Sequence, residues 1–126
     1  MFSHVVLGAN DLEKSKLFYD ALIGATGGQP GMPIPTDRIM YTHNGGMLLI
    51  TKPINGEAAC HANGGTIGFT MASSEETDAW HAAGIAAGGT SCEDAPGVRE
   101  MGPTKMYLAY LRDPDGNKLC GMHLLA

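Results

Sequence analysis

Short apolar runs and helical segments follow each other in the same order in both halves of the chain. The first half opens with HVVLG, from His4 to Gly8, and the second with TIGFTM, from Thr66 to Met71. Both runs have the length of a strand. Each is followed by a segment that predicts a helix, which contains KLFYDALI in the first half and DAWHAA in the second.

Both predicted helices begin with the spacing of a capping box. Asn10 and Glu13 in the first half, and Ser73 and Glu76 in the second, lie three residues apart. In this motif the first side chain accepts a hydrogen bond from a free backbone N–H, and the glutamate reaches back to the cap residue. We therefore expect Asn10 and Ser73 to cap the two helices.

Each half then predicts a helix end and a hairpin. Gly24 and Gly84 follow the helical segments, and glycine is the residue that most often stops a helix. Strand-like runs next flank HNGG in the first half and DPDGN in the second, and both turns are rich in residues that tolerate left-handed conformations. Each half thus has the order strand, helix, and two or three strands.

A weak internal sequence match supports this duplication. DALIGATGG and HAAGIAAGG share alanines and glycines at an offset of 61 residues. We expect one domain over 1–126, with modules over about 1–52 and 65–126 and a linker over 53–64. Two βαβββ modules predict an α+β fold, in which the sheet faces opposite the helices form a curled mixed sheet with a central cleft.

Composition narrows the class of protein. The chain has 126 residues and a net charge of −5, without a basic stripe, which argues against nucleic acid as a partner. It has no apolar run of about 18 residues and no signal-peptide pattern at its start, so we expect no membrane association and a cytoplasmic location. Its three cysteines are irregularly spaced, and this spacing fits neither a disulfide framework nor a zinc finger.

The segments HVVLGANDLEKSKLFYDALIG and YLAYLRDPDGNKL resemble the opening and closing elements of the vicinal oxygen chelate superfamily. That superfamily includes glyoxalase I, extradiol dioxygenases, and the bleomycin- and fosfomycin-resistance proteins. The resemblance extends over essentially the whole chain and implies a cleft that binds a small molecule. Because each module alone leaves one sheet face open, we also expect a homodimer.

The resemblance further implies where metal ligands would lie. Metal-dependent members place His or Glu ligands at four positions, which fall here on His4, Leu49, Thr66 and Cys120. A leucine cannot ligate and a threonine hydroxyl is a poor ligand, so only His4 and Cys120 are candidates. Neither position of a carboxylate base for glyoxalase chemistry carries a carboxylate.

Each candidate also has a simpler interpretation. Cys120 is either a thiolate or a small buried residue on a strand, and His4 is either a ligand or a hydrogen-bonding group in the cleft. Arg99 is either a clamp for an anion or a solvated loop residue. Tyr107 and Tyr110 alternate along one strand, so only one of them faces the cleft, and we assign Tyr107 to it.

These observations favour a glyoxalase/bleomycin-resistance-like protein that binds a small organic ligand in its cleft. The cleft residues are then His4, Leu49, Thr66, Arg99, Tyr107 and Cys120. No cofactor is expected, and whether the protein is an enzyme stays open. One alternative is a metal-dependent lyase, isomerase or dioxygenase that holds a divalent metal with His4 and Cys120. The other is a non-catalytic protein that binds a cationic antibiotic, which the negative net charge favours.

Overall fold

A computed structural model describes residues 1–125. Within this range the chain forms helices α1 and α2 and strands β1 to β9. Their order is β1 (Val5–Gly8), α1 (Leu12–Gly24), β2 (Met32–Ile34), β3 (Arg38–His43), β4 (Gly46–Thr51), β5 (Ile67–Thr70), α2 (Ser74–Ala86), β6 (Thr90–Ser91), β7 (Gly97–Met101), β8 (Thr104–Arg112) and β9 (Lys118–Leu124). Neither helix is long and apolar enough to cross a membrane, as far as the described residues show.

The strands form two mixed sheets, one from each module. The first has the order β1-β4-β3-β2, and in the second β5 pairs with β9, β9 with β8, and β8 with both β6 and β7. The first strand of each module runs parallel to the last, β1 to β4 and β5 to β9. The α+β fold of paired βαβββ modules is therefore confirmed. The strands form two open sheets and not the one curled sheet that was expected.

The two helices begin differently. Ser73 caps α2 as predicted, since its Oγ accepts a 3.0 Å hydrogen bond from the backbone N–H of Glu76. The cap of α1 is Asp11, whose Oδ1 accepts from the N–H of Lys14 at 3.2 Å, so the prediction of Asn10 was wrong by one residue. Asp11 lies one position nearer the first turn, and Asn10 makes contacts outside the helix instead.

Glycine ends α1 but not α2. The first helix ends at Gly24 as predicted, whereas the second continues through Gly84 to Ala86, so the second prediction was wrong. A Cβ on Gly84 would lie 2.6 Å from Cδ2 of Leu111 and 2.9 Å from Cδ1 of Leu22. Gly84 therefore allows α2 to approach α1 and β8 closely, which is a role in packing.

The hydrophobic core lies between the helices and the sheets. Phe18 and Leu22 of α1 and Trp80 of α2 are at most 1% exposed, and they pack with strand residues such as Ile50 and Leu111. Since strand side chains alternate between two faces, the remaining strand residues point away from the helices. We call these two surfaces, one on each sheet, the open faces.

The DPDGN turn joins the two modules. The carboxylate of Asp113 accepts hydrogen bonds from Tyr19 Oη at 2.5 Å and from the backbone N–H groups of Asp115 and Asn117 at 2.9 Å. Asp115 Oδ1 in turn accepts from the backbone N–H of Asn10 at 3.0 Å. Burial and the Asp113 carboxylate raise the pKa of Tyr19 well above its usual value. The turn thus has a structural role.

Candidate functional site

The four positions that the superfamily uses for ligands all fall on the open faces. Val5 and Ile67 pack against the core, so the preceding residues, His4 and Thr66, project to the other side. Leu49 lies between two core residues of β4 and therefore points to the open face as well. Cys120 does the same on β9, next to the core residue Leu119.

Cys120 is buried although it lies on an open face. It is 7% exposed and is not part of the main core cluster. Gly68 of β5 and Tyr110 of β8 are its partners on either side, and its Sγ lies 3.7 Å from the carbonyl oxygen of Gly121. The thiol is therefore covered by its neighbours on the second sheet.

Burial also keeps this thiol protonated. Desolvation raises the pKa of Cys120, and the hydrogen bond with Tyr110 and the positive charges of Lys118 and Arg99 offset that only in part. Burial likewise raises the pKa of Tyr110. Because the thiolate is the form that attacks electrophiles and binds metals, Cys120 is a weak nucleophile and a weak ligand at neutral pH.

Charged residues surround the Tyr110–Cys120 pair. Lys118 Nζ lies 5.0 Å from the centre of the Tyr110 ring and forms an ion pair with Glu93. Glu93 adopts a left-handed conformation with φ of 57°. Sequence reasoning missed Lys118 and Glu93 as site residues. The alternation of side chains along β9 could have identified Lys118, which lies two residues before Cys120.

Arg99 contributes a second cation. It lies on β7, and its Nη2 donates hydrogen bonds to the carbonyl oxygens of Asp94 at 3.1 Å and Ala95 at 3.0 Å. Its charge favours the deprotonated forms of Tyr110 and Cys120, but burial outweighs this effect, so the pKa of both groups stays raised. The two carbonyls hold one guanidinium nitrogen, and the remaining donors of the group are available to a ligand.

Tyr107 does not belong to this face, and its assignment to the cleft was wrong. Its hydroxyl donates a 2.7 Å hydrogen bond to Asp78 Oδ1 on α2, so the side chain lies on the helix side of the second sheet. The two tyrosines lie on opposite faces of the second sheet, and Tyr110 is the one on the open face. The alternation of side chains predicts that the two tyrosines point to opposite faces of the strand, but it does not identify which face packs against the helix.

The residues at the superfamily's metal positions do not fit a metal centre. His4 Nδ1 hydrogen-bonds with Ser3 Oγ at 2.7 Å, and Leu49 and Thr66 supply no suitable donor. Among residues 1–125, no group of three or more His, Cys, Asp or Glu side chains is arranged to hold a metal ion. Two candidate side chains, of which Cys120 is a protonated thiol, fall short of the three protein ligands of a catalytic zinc site.

The family model described as Glyoxalase/Bleomycin resistance protein/Dioxygenase superfamily matches residues 1–120. The chain belongs to this superfamily. A glyoxalase/bleomycin resistance protein from Albidiferax ferrireducens T118 is 57% identical, with a TM-score of 0.94 and 98% of each chain covered. No curated protein matches the chain.

More distant superfamily structures share the fold. A glyoxalase/bleomycin resistance protein/dioxygenase family enzyme from Burkholderia phytofirmans PsJN is 20% identical, with a TM-score of 0.74 and 98% of each chain covered. The lactoylglutathione lyase from Agrobacterium tumefaciens is 21% identical, with a TM-score of 0.67 and coverage of 98% of this chain and 92% of that one. At such identities the likeness concerns the fold and not the reaction.

Proposed function

We propose that this superfamily member binds a small organic ligand on its open faces, over the Tyr110–Cys120 pair, without a divalent metal. The observation that carries the proposal is the content of the second open face. It holds a buried thiol and a phenol beside Arg99, while Leu49 and Thr66 stand where metal ligands would be needed. Neutral donors and a cation are groups that orient a polar ligand directly.

The local charge favours an anionic ligand. The net charge of −5 had favoured a neutral or cationic molecule. On the second sheet, however, Glu93 forms its ion pair with Lys118. In the described part of the chain, the hydrogen-bond acceptors of Arg99 are backbone carbonyls and not carboxylates, so its charge is not paired in this way. A carboxylate is the group that a guanidinium binds best, through two parallel hydrogen bonds.

This site supports binding better than lyase chemistry. Moving a proton beside a carbonyl requires a general base, and the superfamily's base positions hold no carboxylate. The carboxylate near Cys120 is that of Glu93, which is held by Lys118. The same cations disfavour a cationic antibiotic on this face. A metal-dependent reaction through His4 and Cys120 would need further ligands from outside the described chain.

A second copy of the chain is part of the proposal. The open faces carry exposed apolar side chains, including Val6 at 47% and Met122 at 39%. A homodimer that faces these surfaces toward each other would cover them and enclose a ligand above Cys120.

Benzoate, the simplest aromatic carboxylate, tests this function by NMR in the presence of EDTA. We expect a saturable shift of the backbone amide signals of Tyr110 and Cys120. Replacing Arg99→Gln should weaken binding by a factor of about 10 to 150, since hydrogen bonds to charged groups contribute roughly 1.5–3 kcal/mol. Lys14→Gln, which removes one positive charge from the exposed side of α1, should leave binding unchanged.

Two results would overturn the proposal. One is binding that appears only after Zn²⁺ or Ni²⁺ is added and that EDTA abolishes, which would indicate a metal site. The other is an equal loss of affinity in the Arg99 and Lys14 variants, which would indicate general charge attraction without a site on the second open face.

A further inference from the structure

A groove of about 260 Å³ runs between the two modules on the helix side of the sheets. One wall comes from the first module and includes Tyr41, Leu48 and the tip of the β3–β4 hairpin. The other wall is β5 together with Trp80 of α2. Tyr41, Leu48 and Trp80 belong to the core, so the groove opens on the core side of the sheets. At the edge strand β5 it borders the open face, where Gly68 pairs with Cys120.

The groove exists because the two hairpin turns dock differently. The turn of the second module reaches the first, where Asn117 Nδ2 donates a 3.1 Å hydrogen bond to the carbonyl oxygen of Gly8. Gly8 lies three residues before the cap of α1, and Thr70 occupies the same place before α2. The shorter turn of the first module makes no such bond to Thr70 among the described residues.

His43 shows where the first module's turn is held instead. Its Nε2 hydrogen-bonds with the carbonyl oxygen of Thr26 at 3.1 Å, within its own module. Asn44, with φ of 48°, and Gly45, with φ of 80°, then close the hairpin without reaching α2. A gap therefore stays open next to Thr70.

Trp80 supplies an unused donor at this groove. The residue lines the groove and is 1% exposed, and its ring lies 5.8 Å from that of Phe69. Within residues 1–125, its Nε1 is the buried side-chain nitrogen that has no hydrogen-bond partner. Buried donors are nearly always paired, so this indole N–H is able to donate to an acceptor on a bound molecule.

The edge of β5 adds backbone groups to the same groove. Met71 donates its N–H to the carbonyl of Met122 on β9 at 2.8 Å. In a parallel pair alternate residues face the partner strand, so the backbone groups of Gly68 and Thr70 point to the free edge. Both residues line the groove.

The lining favours an uncharged, aromatic occupant. It contains Phe69, Trp80 and Tyr41 with aliphatic side chains, and no Asp, Glu, Lys or Arg. The polar side chains of the lining are those of Thr26, His43, Asn44 and Thr70. A charged ligand would lose its hydration there without gaining an opposite charge. An aromatic ring would instead pack against aromatic and aliphatic walls, and a carbonyl oxygen would give the indole N–H its acceptor.

We propose that this groove is a second ligand site, which takes a small neutral aromatic molecule with a carbonyl acceptor for Trp80. Met47 and Met71 both line the groove, and methionine has three rotatable bonds. Because Nε1 is buried, the ligand reaches it only if side chains of the lining shift, and these two flexible residues are the candidates. Trp80 lies on the core side and Tyr110 on the open face, so signals from these two residues distinguish this site from the proposed open-face site, which it meets at Gly68 of β5.

Three probes of similar size test the site by NMR. Acetophenone has the carbonyl, isopropenylbenzene replaces it with a carbon–carbon double bond, and benzoate replaces it with a charge. The chain has a single tryptophan, so its indole N–H signal reports on this position alone. We expect acetophenone to shift this signal saturably and downfield. Isopropenylbenzene should bind about three- to tenfold more weakly, as expected for one hydrogen bond. Benzoate should leave the indole signal in place.

A pair of variants controls for position. Trp80→Phe keeps an aromatic ring but removes the donor, and should weaken the binding of acetophenone three- to tenfold, as followed by the amide signal of Tyr41 on the other wall of the groove. Tyr110→Phe changes the open face and should leave acetophenone binding unchanged. If Trp80→Phe does not fold, the three probes on the unaltered protein still decide the question.

Several outcomes would overturn this site. They are no saturable indole shift up to the solubility limit of acetophenone, equal binding of all three probes, or shifts confined to Tyr110 and Cys120. An indole N–H that keeps contact with a bound water in the presence of acetophenone would mean that water is the partner. Indole shifts that depend on protein concentration alone would mean that a second copy fills the groove.

Discussion

Tyr19 donates a 2.5 Å hydrogen bond to the carboxylate of Asp113, although the two residues are 94 positions apart and belong to different modules. Both are buried, Tyr19 completely and Asp113 at 5% exposure. The bond therefore links α1 to the turn that closes the second sheet, and it makes the stability of each module depend on the other.

Replacing Tyr19→Phe should lower the free energy of unfolding by about 1–3 kcal/mol, because a buried carboxylate loses a donor. Urea denaturation measures this change. Tyr107→Phe is the matched control, since it removes a tyrosine–aspartate bond at the surface and should cost less than about 0.5 kcal/mol. If both variants lower the free energy of unfolding equally, the buried Tyr19 bond stabilises the protein no more than the surface bond of Tyr107.

Gly84→Ala should destabilise the protein by about 1–3 kcal/mol through overpacking, even though alanine favours a helix more than glycine does. The new Cβ would lie 2.6 Å from Leu111 and 2.9 Å from Leu22. Gly24→Ala is the control, because a Cβ there meets nothing within 4 Å. It should be neutral or slightly stabilising. A stable Gly84→Ala protein would show that the helices can separate at little cost.

Asp20 should contribute to resistance against acid. Burial alone would raise the pKa of its carboxyl, but hydrogen bonds from the Gly31 N–H, Lys16 and Tyr41 lower it overall. A folded-state pKa below the unfolded value gives stability that is present above the unfolded pKa and lost as the pH falls through the folded one. In urea titrations between pH 6 and 2, the stability of Asp20→Asn should thus depend less on pH than that of the unaltered protein. An unchanged pH profile in Asp20→Asn would contradict this assignment.

Cys60 should react with iodoacetamide faster than Cys120. Cys60 is exposed, whereas Cys120 is buried and burial raises the pKa of its thiol. Peptide mass mapping of the native protein at pH 7 distinguishes the two sites, and denaturant should remove the difference. Equal rates in the native protein would mean that the Cys120 thiol is exposed to solvent, which would contradict its burial.

Local sequence signals were enough for much of the fold. The repeat, the Ser73 cap and the two hairpin turns depend on residues close in the chain, so patterns of a few residues identify them. The errors came from contacts between distant residues. The position of Gly84 in the sequence predicts a helix end, but in the folded protein it leaves room for the side chains of Leu22 and Leu111. The spacing of Asn10 predicts a helix cap, but in the folded protein its backbone N–H donates a hydrogen bond to Asp115 Oδ1 in the distant turn.

The same limit applies to the site. Alternation predicts that Tyr107 and Tyr110 point to opposite faces, but only the packing of α2 against β8 identifies which face Tyr107 takes. The pairing of Glu93 with Lys118 joins a loop to β9 and has no signal within either segment. The groove at Trp80 likewise depends on how far two turns reach across modules, which no short pattern encodes.

The metal content of the protein, purified without chelators and dialysed, shows whether the open faces can bind a ligand without a divalent metal. We expect well under one equivalent of zinc, nickel, iron or manganese, because Leu49 and Thr66 stand at two ligand positions and burial raises the pKa of the Cys120 thiol. Stoichiometric metal that survives dialysis and is lost in His4→Ala would contradict it, and would instead establish a metal centre built on His4.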